Sequence, residues 1–179
     1  MRKNSRSGMA AVEFAMVAPA FFLFLFGIIE TGVIFFAQSA LTNATNDAAR
    51  MVRTGQLKGD ITASQLTDAV CGEMTGLMSL QTCQANLKVD LRVYGGFGGA
   101  SYPDVLNPDG SLNTNNMAVN PSTACSVVLF RTFYPWTIMT PLMAPLMSNM
   151  PSDQYLMTAA AAFRNEPYPD QQHVSNALC

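Results

Sequence analysis

Histidine is nearly missing from this chain: His173, in a polar stretch near the carboxyl end, is the single one. One imidazole excludes ordinary His-rich zinc sites and Ser-His-Asp triads. Charge is also scarce, at 12% of 179 residues, and the net balance of −2 offers no electrostatic footprint for nucleic acid. No Cys-x-x-Cys pair occurs, and the scattered acidic residues lack the spacing of an EF-hand. The run from Gly95 to Gly99 lacks the Gly-Lys-Ser/Thr ending of a phosphate loop and reads as a flexible turn. These absences imply no catalytic residues, no metal and no cofactor, and argue against an enzyme.

What is present is apolar and unevenly placed. From Val12 to Phe36 the chain holds Phe, Leu, Ile, Val and Ala almost without interruption. As a helix that stretch reaches about 37 Å, enough to cross a hydrocarbon core of about 30 Å with some tilt. Arg2, Lys3 and Arg6 flank it upstream, and no Lys or Arg follows until Arg50. This asymmetry places the amino terminus in the cytoplasm and exports the remainder.

Glu13 is the anomaly, a carboxylate at the start of the apolar run. A charge at the centre of a membrane helix costs about 2.5–3.5 kcal/mol, less near an interface, and is retained where it has a partner. No basic side chain within the helix can serve. Cleavage after Gly8 would supply one, because the new amino group on Met9 is a cation at the same depth, available to Glu13 of a neighbouring subunit. It would also remove three basic residues, leaving seven against twelve acidic ones and a balance of −5.

A short basic leader ending in Gly, a Glu at the fifth mature position and a hydrophobic helix beside the cut resemble the class III, type IV prepilin-like signal. The run from Gly8 through Met9, Glu13 and Phe14 to Pro19, with Gly27-Ile-Ile-Glu30-Thr-Gly32, more narrowly resembles the TadE-like pseudopilins of the tight-adherence (Tad, Flp pilus) apparatus. Ala48-Ala49-Arg50, Arg53-Thr54-Gly55 and Phe163-Arg164-Asn165-Glu166-Pro167 extend the likeness. Two positions depart from the pattern: Phe14 stands where Tyr often follows the glutamate, and Val33 where Arg commonly follows the second motif. The resemblance implies a minor pseudopilin for assembly or priming of Tad/Flp type IV pili, in adhesion or secretion. It further implies processing by a prepilin peptidase between Gly8 and Met9, and an inner-membrane location with a periplasmic domain. Implied partners are that peptidase, other pilin and pseudopilin subunits and the inner-membrane assembly platform, with entry into the filament left open.

Two other readings of the segment compete. A removed secretory signal would end at Ala20 or after Ser39, but the first cut leaves the most hydrophobic run on the product and the second follows an apolar core long for a signal. A plain anchor, never processed, would carry a periplasmic binding module of the cell envelope and let Glu13 reach the membrane surface. Glu30, about 25 Å beyond Glu13 along a helix, reads as a second carboxylate near the exported interface, reaching headgroups or water, with pairing inside a complex as the alternative.

The helix continues past the membrane. Ala40, Leu41, Ala44, Ala48, Met51 and Val52 keep helical spacing, and Gly55 is placed to cap it. The chain therefore divides into a leader (1–8), a transmembrane helix (9–37), a helical extension (38–56) and an α+β periplasmic domain (57–179). A helix is expected over 60–79. Strands follow at 86–94 with alternating faces, at 125–134 in the sheet centre and at 155–164. The segment 95–123 reads as a long mobile loop. The charge-free, Met-rich segment 136–151 reads as a lid over the sheet or a sticky patch for another subunit or the membrane surface. Cys71, Cys83, Cys125 and Cys179 suggest two disulfides, with Cys71–Cys83 and Cys125–Cys179 preferred on sequence proximity. The fold class is α+β and pilin-like: a long amino-terminal helix on a small antiparallel sheet.

Overall fold

The computed structural model describes residues 6–57, 61–140 and 142–167, with side chains from Gly8 onward. One uninterrupted helix, α1 (Arg6–Arg53), carries Pro19 inside it without ending there. It stops where the sequence supplies a stop. Gly55 takes a positive φ of 68°, and Gly55 N–H and Gln56 N–H donate to the carbonyls of Val52 and Met51 at 3.1 and 2.9 Å. That pairing satisfies the last free carbonyls, and Arg50 and Arg53 in the final turn suit its negative end.

Three antiparallel strands form the sheet, in the order β1 (Lys88–Tyr94), β2 (Val127–Thr137), β3 (Gln154–Arg164). Register puts Leu91, Phe130 and Ala161 in one row and Asp90, Arg131 and Ala160 in the next. The first row faces α1 and joins a core with Leu41, Ala44, Ala48, Val52 and Met157. Small residues on both sides, with Ala159 beside Ala161 on β3, let helix and sheet approach closely. The alanine run of β3, compatible with helix on composition, is strand because it fills this narrow gap. Thr45 Oγ1 and Thr132 Oγ1 hydrogen-bond across it at 2.7 Å. Pro135 is tolerated in β2 because β1 begins opposite Phe133, leaving that part of β2 a neighbour on one side alone.

The helix expected over 60–79 is two. Thr62 and Gln65 form a capping box that starts α2 (Ala63–Glu73), and Ser79 caps α3 (Leu80–Asn86) through Thr82 N–H. Thr75 and Gly76 weaken helix between them, and the second cap resumes it. Consequently the first strand begins at Lys88, not residue 86.

The polar face of β1 also differs from expectation. Asp90 is fully buried, not solvated, because the segment 95–123 folds over the outer sheet face. Its carboxylate accepts from Arg131 Nε and Nη2 at 3.0 and 2.6 Å, from Arg92 Nε at 3.1 Å and from Ala118 N–H at 2.9 Å. Arg131 also donates to Pro103 O at 3.0 Å, and Leu91 exchanges backbone bonds with Ala118 and Asn120. The loop read as mobile is thus pinned at several points by one ion-pair network. At its tip, Ser111 side-chain and backbone donors hold the Asp109 carboxyl below its ordinary pKa.

Candidate functional site

The surface of α1 changes character part-way along. From Met9 to Phe26 its large side chains point outward, with Phe14 68%, Met16 75% and Phe24 71% exposed. Beginning at Gly27, a buried stripe runs through Glu30, Ile34, Ala37, Leu41, Ala44, Ala48 and Val52, the three-and-four spacing of one helix face. The packed face thus starts inside the stretch 9–37 assigned to the membrane. The bare section covers about 27 Å, close to the hydrocarbon thickness. Among the described residues α1 is the one helix long and apolar enough to cross a membrane.

Gly8, Met9 and Glu13 lie at the lower end of this bare section. A Cβ at Gly8 would meet nothing within 4 Å, Met9 is 67% exposed, and Glu13 is exposed. Residues 9 and 13 are one turn apart on one face. Glu13 forms no ion pair with any described residue, the described pairs being Arg53–Glu166, Arg92–Asp90 and Arg131–Asp90. The helix runs through the Gly8–Met9 peptide bond.

Glu30 behaves differently from its expected role at headgroups or water. It is 4% exposed, and its carboxylate accepts from the backbone N–H groups of Met139 and Thr140, the latter at 2.9 Å. The Met-rich segment is bonded at its ends to residues at the start of β3 and packs between them on α1, at Gly27 one turn below this carboxylate and at Thr31 beside it. Met143 Sδ would stand 3.1 Å from a Cβ at Gly27, so a larger residue there would displace it. Thr31 Oγ1, bonded to Gly27 O at 2.7 Å, lies 4.0 Å from Met147 Sδ. A short helix, α4 (Ala144–Met147), closes the segment. Trp136, placed in this loop on sequence, belongs to β2.

Cys71 and Cys83 form a disulfide that ties α2 to α3. Cys125 is disulfide-bonded as well; its expected partner Cys179 lies outside the described residues, as do His173 and the leader residues Arg2 and Lys3. Arg53 and Glu166, distant in sequence, meet: their side chains pair at 3.3 Å and Glu166 N–H donates to Arg53 O at 3.0 Å. Asn165 N–H donates to Ser126 O at 2.9 Å, fixing this junction to the start of β2. Sequence reasoning missed Asp90 and Arg131, whose opposite charges on adjacent strands were the available signal.

Residues 8–50 match the family model described as TadE-like protein. No curated protein and no solved structure matches the chain.

Proposed function

We propose, from the match of residues 8–50 to the TadE-like family model, that this chain is a minor pseudopilin of a tight-adherence pilus system, cleaved after Gly8 and acting in assembly, not catalysis. The observation that carries this reading is Glu13: an exposed carboxylate at the base of a bare apolar stem, without an ion-pair partner among the described residues. Cleavage supplies the partner. The Met9 amine appears at the depth of Glu13, and neighbouring stems then pair amine with carboxylate and share a register. Because α1 enters the site as helix, the peptidase must unwind its first turn; glycine, about 1 kcal/mol poorer than alanine in a helix, eases that step. The stem lies in the inner membrane with the amino terminus cytoplasmic, and the α+β domain stands in the periplasm, where it meets pilin subunits and the assembly platform.

Mass spectrometry of the membrane form tests it. The mature chain is expected to begin at Met9, Gly8→Val to accumulate as precursor, and Glu13→Gln to be processed but to lose most of its recovery in pilus assemblies. An uncut chain that still works would make the protein a simple anchored module, and a fully competent Glu13→Gln variant would remove the charge-pairing basis.

A further inference from the structure

The charge-free residues 138–140 and 142–147 have one buried side and one bare side. Ile138 and Ala144 are buried at 6% and 1% exposure, whereas Met139, Leu142 and Leu146 are 69%, 71% and 79% exposed. A lid over the core would hide such side chains. Instead the segment is clipped to the membrane helix, by Glu30 accepting from two of its amides and by Met143 lying against Gly27. That attachment lies where the bare section of α1 ends, about 27 Å from Met9 along the helix. On α1 at the same level Ile28, Ile29, Phe35 and Phe36 are 72%, 53%, 69% and 64% exposed, so loop and stem carry apolar surface at one height.

We infer that segment 138–147 is a second lipid contact, a short wedge whose Met139, Leu142 and Leu146 enter the outer leaflet of the inner membrane beside the stem. The inference rests on α1 spanning the bilayer with its domain exported. Three features favour lipid over a protein partner. The exposed side chains continue the lipid-facing surface of α1; no charge lies between Trp136 and Pro151; and the depth matches the boundary of a hydrocarbon core of about 30 Å. Burying such side chains at the acyl boundary is the means by which interfacial segments hold to membranes. Glu30, by holding the loop amides, is a positioning residue for the wedge.

Tryptophan depth measurements test this on the full chain, reconstituted at low protein density in phosphatidylethanolamine/phosphatidylglycerol vesicles with bromine near the headgroup end of the acyl chains. In a Trp136→Phe background, Leu142→Trp and Leu146→Trp should be quenched several-fold more than Tyr102→Trp, an exposed site on the far loop. Phe24→Trp reports the stem. Quenching at 24 with none above the Tyr102→Trp level at 142 and 146 overturns the wedge while leaving the span intact. Absence of quenching at 24 as well removes the span, and with it this inference. If 142 and 146 are shielded and crosslink between copies, the occupant is a second copy and the lipid assignment fails.

Discussion

The two halves of α1 are one helix by hydrogen bonding and two by environment. Below Gly27 the outward residues are large: Phe14, Met16, Phe21, Phe24 and Phe26. Above it the residues turned toward the sheet are mostly small, Ala37, Ala44, Ala48 and Ala49, with Leu41 and Val52 between them. Hydropathy alone rates both as apolar. Side-chain size separates them: bulk suits a fluid solvent that moulds itself around any shape, whereas alanines mark where another backbone must come close. Polar groups follow the same division, since Thr45 and Glu30 find protein partners in the upper half and Glu13 finds none described in the lower.

The largest expected break in this comparison comes from the far side of the sheet. Asp90→Ala would strand the guanidinium of Arg131, whose side chain is 7% exposed, at a cost of about 3–5 kcal/mol. Hydrogen exchange in detergent should then show faster exchange across 27–53 while 9–26 stays as protected as before; equal loosening of both would mean the halves share one stability. A more direct contrast pairs two apolar truncations. Leu41→Ala, at a fully buried position, should lower unfolding free energy by about 2–5 kcal/mol. Phe24→Ala, at an exposed one, should leave domain unfolding within about 0.5 kcal/mol of the parent. The smallest effect is assigned to Arg53→Ala. Both partners of the Arg53–Glu166 pair are about half exposed, so its removal should change stability by no more than about 1 kcal/mol, and by less in high salt.

What could be read in advance was whatever the chain encodes locally. The continuous helix, its Gly55 stop, the alternation of β1 and the near-continuous apolar run of β2 each follow from periodicity or a terminal residue. Missed features depend on partners far away in sequence. Asp90 looked solvated because alternation reports which side of a strand a residue faces, not what later covers that side. The split at residues 74–79 escaped because Leu66, Val70, Met74 and Leu77 keep helical spacing across it. Glu30 was placed at the right height on the helix, but its acceptor role depends on amides 109 and 110 positions away. The Met-rich segment had no internal period, so its docking on α1 was invisible.

The rigid union of domain and upper helix also sets an azimuth. At about 100° per residue, Glu13 lies roughly 100° around the axis from Glu30, and Glu30 always looks toward the loop that clasps it. The stem therefore cannot swivel beneath its head. Whatever grips the sheet-bearing domain also selects the compass bearing at which the lower carboxylate points, more than 20 Å away along the helix at about 1.5 Å per residue.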